Sequence, residues 1–287
     1  MNKILDGKFV SEIKNNEYKH FIDFLKNTNA RIPTLVVIII GNNPASEVYV
    51  KNKTIACEKV GINSRVISLQ DNCTNDEVLT TIKELNNDPT VDGILLQLPL
   101  PKHLNKELLL ESISSDKDVD GFNPINIGRM YTNQNTLLPC TPKGIIDLLD
   151  YYNIDLQGKS AVVIGRSNLV GLPISFLLTQ RNATVTTCHS FTLNLKELCQ
   201  QADIVVAAIG KAEFVKDDWL KEGAIVIDVG INRNEYGKLV GDVDFSNAIN
   251  KVSFITPVPK GIGPMTISSL LGNTIKAYQA REDKHGV

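Results

Sequence analysis

Four polar residues stand where their neighbours are apolar or where the chain turns, and each could do chemistry. From Pro44 to Val60 the sequence reads as a helix, with Asn43 as its N-cap and Gly61 just past its end. At about 100° per residue, Glu47, Lys51, Thr54 and Glu58 share the solvated side, while Ala45, Ala56 and Val60 define the opposite one. Tyr49 and Lys53, four residues apart, fall in the middle of that apolar stripe. A lysine there can snorkel to water, pair with an acid or serve a site. A desolvated lysine holds its proton less tightly and can act as a general base near neutral pH. The phenol of Tyr49, one turn away, can hydrogen-bond that amine or a substrate. Gln97 interrupts the apolar run GILLQLPLP near its carboxyl end, where open α/β sheets place their ligands; its amide could equally be satisfied by nearby backbone. Asp120 lies in SSDKDVDGFNP, a stretch dense in acids and turn formers whose plainer reading is a solvated turn. The stretch also looks like a short calcium loop, but it lacks the downstream Glu and the full spacing, so no metal is expected.

A second constellation suits a phosphate. After the apolar run SAVVI comes GRSNLVGLP, Gly165–Pro173. A tight glycine turn between a buried strand and a helix turns backbone N–H groups and the helix dipole towards an anion. Gly165, Arg166, Ser167, Val170 and Gly171 are therefore candidate cofactor contacts. The spacing is not the strict G-x-G-x-x-G, so an ordinary strand-to-helix turn is the alternative. The next strand, ATVTTCH, ends in His189-Ser190, with no carboxylate where an NAD site carries one for the ribose. Arg166 and Ser190 suit a 2′-phosphate, which favours NADP over NAD. Ser190 could instead cap a helix, and Arg166 could serve only the pyrophosphate.

The elements that must hold these residues alternate along the chain. Residues 9–26 have helical spacing. Thr34–Gly41 is a β-branched run, Ser64–Leu69 a strand, and Gly93–Leu98 another buried run; Thr74-x-x-Glu77 is a capping box that opens a helix. Later come four apolar strands, Ser160–Gly165, Ala183–His189, Ile204–Gly210 and Ala224–Asp228, and a last helix from about Met265 to Gln279. The rhythm predicts an α/β fold with two domains: an N-terminal α/β substrate domain and a Rossmann-type, doubly wound dinucleotide-binding domain. A length of 287 residues agrees with about two domains. With 30 Lys+Arg against 32 Asp+Glu there is no basic footprint, so no nucleic-acid partner is expected. The apolar runs are far shorter than a membrane span of about 20 residues. The start, MNKILDGKFVSEIKNN, has no leader-like apolar region. The five cysteines, Cys57, Cys73, Cys140, Cys188 and Cys199, include no C-x-x-C pair and suit free thiols in a reducing cytoplasm.

Taken in order, SEVYVKNK (46–53), DGILLQLPLP (92–101), KDVDGF (117–122), PCTPKG (139–144), GRSNLVGLP (165–173), DVGIN (228–232), GDV (241–243) and TPVPKGIGPMT (256–266) carry a resemblance over essentially the whole chain. The sequence resembles the bifunctional methylenetetrahydrofolate dehydrogenase/methenyltetrahydrofolate cyclohydrolase family. The resemblance implies NADP-dependent oxidation of 5,10-methylenetetrahydrofolate to 5,10-methenyltetrahydrofolate, then hydrolysis to 10-formyltetrahydrofolate, both in one folate cleft between the domains. It implies that Lys53 is the catalytic lysine, with Tyr49 and Gln97 beside it, and that Asp120 holds the folate. Ile231 matches a backbone contact to the nicotinamide region, and Pro257 and Gly261 match substrate contacts. It further implies a cytoplasmic homodimer formed through the cofactor domain.

The expected division is residues 1–139 with 265–287 for folate and 140–264 for NADP. Because methenyltetrahydrofolate is a cation, Lys53 is expected to be largely neutral when water adds, with Gln97 orienting its amine. The sequence departs from the family twice. Ile55 stands in place of a second lysine, off the stripe, with little expected effect. Pro259-Lys260-Gly261 replaces a Pro-Gly-Gly turn; if the replaced glycine needs positive φ, Lys260 is strained or the turn is rebuilt, and the alternative is a lysine that approaches the polyglutamate tail of folate. Two rival readings are a dehydrogenase of the shikimate or amino-acid type and a non-catalytic nucleotide-binding regulator. The Tyr49–Lys53 pair and the TPVPKGIGPMT segment speak against the first, and the reactive Lys53 against the second.

Overall fold

The computed structural model describes residues 3–285. The chain divides into two compact units, one holding Ile13–Cys140 and the chain from Ile267 onward, the other holding the chain up to Glu12 and Thr141–Thr266.

The first unit begins within α1 (Gly7–Asn27) and continues through β1 (Thr34–Ile40), α2 (Pro44–Val60), β2 (Asn63–Leu69), α3 (Asn75–Asn87), β3 (Gly93–Leu96), α4 (Lys106–Ser112) and α5 (Pro124–Tyr131). Its three strands pair in parallel in the order β2-β1-β3. Every residue of β1 is buried, as its β-branched composition predicts for a central strand covered on both faces. Alternate residues divide between two cores. Leu35, Val37 and Ile39 pack with Val50, Cys57 and Val60 of α2, while Val36, Ile38 and Ile40 pack with Val78 and Ile82 of α3. The first of these cores also contains Leu270, Leu271, Ile275 and Tyr278 from the chain's last helix. The run predicted to Leu98 stops pairing as a strand at Leu96, and a cis Leu98–Pro99 bond follows.

The second unit starts within α6 (Cys140–Tyr151) and runs through β4 (Ser160–Ile164), α7 (Gly171–Gln180), β5 (Thr184–Cys188), α8 (Leu195–Gln201), β6 (Ile204–Ala207), β7 (Ile225–Asp228), the hairpin β8 (Asn232–Arg233) and β9 (Leu239–Val240), α9 (Phe245–Lys251) and β10 (Phe254–Ile255), ending within α10 (Ile262–His285). Its sheet is parallel, in the order β10-β7-β6-β4-β5. The chain moves from β4 outward to β5 and then crosses to β6 on the other side of β4. The carboxyl ends of β4 and β6 therefore form the switch point at which a doubly wound sheet holds its ligand.

The sheet has a fifth strand, β10, that was not anticipated, and beyond it lie Lys3–Leu5. Leu5 N donates to Ile255 O (2.9 Å) and Ile255 N to Lys3 O (2.9 Å). By its contacts the chain up to Glu12 goes with the second unit, where residues 1–12 were expected with the folate half. The exposed edge of a parallel strand offers a ladder of backbone partners, and Lys3–Leu5 take it.

Candidate active site and nucleotide site

The buried stripe of α2 runs through Ser46, Val50, Cys57 and Val60, and Lys53 occupies the position between Val50 and Cys57. Tyr49 lies beside the stripe rather than in its middle and is 39% exposed; partial burial pushes its phenol up from its ordinary range. Asn43 caps the helix, its Oδ1 accepting from Ser46 N (3.2 Å), and this fixes the rotation at which Lys53 enters.

Lys53 Nζ donates to Gln97 Oε1 at 2.9 Å, and Gln97 Nε2 donates to Leu98 O at 2.6 Å. Backbone thus anchors the Gln97 amide, and the anchored amide accepts from the lysine. Gln97 N also donates to Ile38 O (2.9 Å), which sets the side chain just past the carboxyl end of β3. Asp120 is in the same neighbourhood. Burial raises its carboxyl, while the nearby charge of Lys53 and a hydrogen bond from Cys140 act in the opposite direction.

The turn carrying Asp120 is not a solvated one. Lys117 Nζ is buried and donates to Leu85 O (2.9 Å) and Asp88 O (2.7 Å). Asp118 is buried as well. Its Oδ2 accepts from Asn123 N (2.7 Å) and Asn126 Nδ2 (2.9 Å), and its Oδ1 from Gly121 N (3.2 Å). These bonds fold the chain around Asp120. Asp118 is a residue that sequence reading missed; its only local signal was an acid two positions before another in a turn.

In the second unit, Gly165 directly follows β4 at φ +125°, and a Cβ there would lie 2.3 Å from Ala208 O, at the end of β6. A Cβ on Gly171 would lie 2.2 Å from Gly165 O. Glycine is required at both places so that the turn can close at the switch point. Ser167 Oγ accepts from Val170 N (3.2 Å) and Gly171 N (3.4 Å), ordering the entry to α7. Arg166 is exposed, with its guanidinium 6.0 Å from the ring centre of Phe191. Ser190 is exposed just past β5, and the N-cap position of α8 falls to Asn194, whose side chain makes no capping bond, so Ser190 is not its cap. Instead His189 N donates to Thr192 Oγ1 (2.8 Å), and Phe191 N to His189 Nδ1 (3.2 Å), which shapes the turn.

Ile231 is 47% exposed, and its Cδ1 lies 3.9 Å from the place a Cβ on Gly263 would take. Gly261 is buried, its Cα turned towards Pro257 O, which a Cβ would approach to 2.4 Å. Between them Lys260 sits at φ +84°, exposed, and its carbonyl accepts from Lys8 N (2.9 Å) at the start of α1. Thus Tyr49, Lys53, Gln97 and Asp120 belong to the first unit, and Gly165, Arg166, Ser167, Val170, Gly171, Ser190, Ile231, Pro257 and Gly261 to the second. A cavity of about 440 Å³ on the solvated side of α2, lined by Glu47, Lys51, Thr54 and Ile55 among others, includes none of these residues.

Residues 5–120 match the family model described as the catalytic domain of tetrahydrofolate dehydrogenase/cyclohydrolase, and residues 139–282 match its NAD(P)-binding domain. The chain belongs to the tetrahydrofolate dehydrogenase/cyclohydrolase family. It is 53% identical to the bifunctional protein FolD of Oceanobacillus iheyensis over 283 residues, 99% of each chain. Among solved structures, it is 50% identical to the bifunctional FolD dehydrogenase/cyclohydrolase of Campylobacter jejuni, with a TM-score of 0.95 over 97% of this chain and 99% of that one. The Trypanosoma brucei dehydrogenase-cyclohydrolase, solved with NADP and an inhibitor, is 35% identical, with a TM-score of 0.93 over 97% of each chain. The nucleotide turn described above fits this family's cofactor. Glycines clear the approach at the switch point, Arg166 stands exposed beside it, and no acid ends β5.

Proposed function

We propose that the protein oxidises 5,10-methylenetetrahydrofolate with NADP and hydrolyses the resulting 5,10-methenyltetrahydrofolate to 10-formyltetrahydrofolate, with the roles set out below. The observation that carries these roles is the 2.9 Å bond from Lys53 Nζ to Gln97 Oε1 at the carboxyl end of β3, with Asp120 close enough to feel the lysine's charge.

Asp120 takes the pterin, pairing its two oxygens with the amino and ring N–H donors. Tyr49, half open beside Lys53, packs on the pterin. Gln97, fixed by its own bond to Leu98 O, aims the Lys53 amine at the one-carbon bridge. Lys53 orients the attacking water and takes up the proton lost as oxygen bonds to the bridge carbon; the bond from that carbon to N5 then breaks, N5 keeping the electron pair and gaining a proton as the new hydroxyl gives up its own to become the formyl oxygen. NADP, held there, would supply the acceptor for the hydride of the methylene bridge. The turn of Gly165, Arg166, Ser167, Val170 and Gly171 receives its phosphates, with Arg166 and Ser190 on the 2′-phosphate. Ile231 supplies a backbone contact near the nicotinamide, and Pro257 and Gly261 line the folate.

We infer a cytoplasmic homodimer joined through the nucleotide unit. The compartment is supported by five buried cysteines with no disulfide, and the dimer by the assembly common in the family. No helix among the described residues is long and apolar enough to cross a membrane.

The test follows both half-reactions in one sample: reduction of NADP against NAD with methylenetetrahydrofolate, then decay of methenyltetrahydrofolate without nucleotide. Lys53→Met is expected to lower the second rate by at least about a hundredfold, the scale of a lost general base. Hydrolysis at the wild-type rate in Lys53→Met would remove the lysine from the mechanism.

A further inference from the structure

We propose that Asp242 is a positioning residue for the dehydrogenase step, fastening the turn after β6 and the Ile231–Asn232 segment into one frame. The inference rests on the reading of this unit as the NADP site, with Ile231 beside the nicotinamide. Asp242 is fully buried, and its carboxylate is saturated by donors from two separate segments. Oδ2 accepts from Ile209 N (2.7 Å) and Gly210 N (3.0 Å), and Oδ1 from Lys211 N (2.8 Å) and Asn232 Nδ2 (2.9 Å). Three successive backbone N–H groups on one carboxylate fix the path of residues 209–211, and the Asn232 bond ties that path to the residue following Ile231.

A second carboxylate holds the first in place. Asp228, at the end of β7, accepts from Asp242 N (2.8 Å) and Gly230 N (3.0 Å) on Oδ1 and from Val243 N (2.9 Å) on Oδ2. No side chain fits between them, since a Cβ on Gly241 would lie 1.8 Å from Asp228 Oδ2. This accounts for the DVGIN and GDV segments together: the acid of the first holds the backbone of the second, and the acid of the second holds the Asn232 side chain of the first.

The position of this frame gives it a consequence for the reaction. The fastened turn begins at Ala208, whose carbonyl is the atom that Gly165 must lack a side chain to meet. Ala208 N donates to Ile164 O (2.9 Å) and Val229 N to Ala207 O (2.9 Å), so the segments leaving β4, β6 and β7 are joined at their carboxyl ends. That is the rim on which the nicotinamide half of a dinucleotide lies. Hydride transfer is sensitive to such placement, because a misplacement of about 1 Å can cost about a hundredfold in rate.

The experiment uses the full-length protein with Asp242→Asn, which keeps the size but replaces one acceptor oxygen by a donor NH₂. A milder variant, Asn232→Ala, cuts only the link to the Ile231 segment and guards against a misfolded first variant. The expected result is a dehydrogenase kcat lower by about tenfold to a hundredfold in Asp242→Asn and several-fold lower in Asn232→Ala. Hydrolysis of methenyltetrahydrofolate without nucleotide, and binding of 2′,5′-ADP, should each stay within about twofold of wild type in Asn232→Ala. Parallel loss of both activities in Asn232→Ala would mark a merely structural role and overturn the proposal. So would an unchanged dehydrogenase rate in both folded variants. If the wild-type protein itself neither binds 2′,5′-ADP nor reduces NADP, it is the NADP reading that fails.

Discussion

Lys53 and Lys260 are both lysines in places that do not suit lysine, and their costs are different in kind. Lys53 pays in burial, and a neutral amide oxygen 2.9 Å away meets part of that cost. Its anomaly could be read from helical spacing alone, because a polar residue on an apolar stripe is a local pattern. Lys260 carries its cost in the backbone, at φ +84°, a region that disfavours side chains by roughly 1–2 kcal/mol. Lys260→Gly should relieve that strain, offset in part by about 0.5–1 kcal/mol of extra freedom in the unfolded chain. The expected net gain is about 1 kcal/mol, read as a higher urea midpoint. The same variant separates strain from tail binding: a selective loss of affinity for polyglutamylated over monoglutamyl folate would assign the lysine to the tail. Asp118 was not legible at this scale, since nothing in SSDKDVDG distinguishes the acid that folds the turn from the acid the turn presents.

Elements whose ends are marked by side chains were legible to the residue. The helix α2 spans Pro44–Val60 between Asn43 and Gly61, as its cap and stop signals predict. The capping box at α3 forms as its spacing predicts: Thr74 Oγ1 accepts from Glu77 N (3.3 Å), and Thr74 N donates to Glu77 Oε2 (2.7 Å). Thr74→Ala should cost about 1 kcal/mol, measured by urea unfolding, with both activities intact in the folded protein. An unchanged midpoint would mean the box contributes nothing beyond what water supplies. Strand ends were less legible than helix ends. Apolar runs predicted to Leu98 and Gly210 stop pairing at Leu96 and Ala207; β6 stops where its partners β4 and β7 end, whereas β3 stops although β1 runs on to Ile40, so hydrophobicity marks neither end. The two-residue strands β8, β9 and β10 carry no periodicity to read, and only their neighbours make them strands.

At the scale of the whole molecule, buried carboxylates set the response to pH. Burial pushes Asp228 from 3.8 up to about 7 and Asp118 from 3.8 up to about 6. Such groups keep their protons in the folded protein at pH values where the unfolded chain has released them. Their contribution is complete below 3.8 and is lost as pH rises through about 6 to 7. Asp88 and Asp203 run the other way. Hydrogen bonds from Thr90 to Asp88, and from Lys221 and Ser160 to Asp203, hold each at about 2, so their contribution disappears as pH falls through that value. Stability should therefore peak near pH 4 and decline towards pH 7, by up to about 1.4 kcal/mol per pH unit for each proton involved. Urea unfolding across pH 4–8 measures the decline, and Asp228→Asn should flatten it between pH 5 and 7. An equal slope in the variant would clear Asp228 of the effect.

The sequence by itself determined the α/β class, the order of the main strands and helices, the caps, the glycine turn and the odd polar residues on apolar stripes. Each of these follows from spacing within a turn or two of chain, where side-chain periodicity and backbone preference act. Tertiary structure decided which of those residues meet. Lys53 and Gln97 are 44 positions apart and touch because β1 lies beside β3 in parallel register. Asp242 reaches Ile209, 33 positions earlier, because β6 and β7 are neighbours. Lys3–Leu5 join the nucleotide unit because the edge of β10 was open to them. Strand order and register are set by the balance of all the buried surfaces together, and no local window of sequence contains that balance.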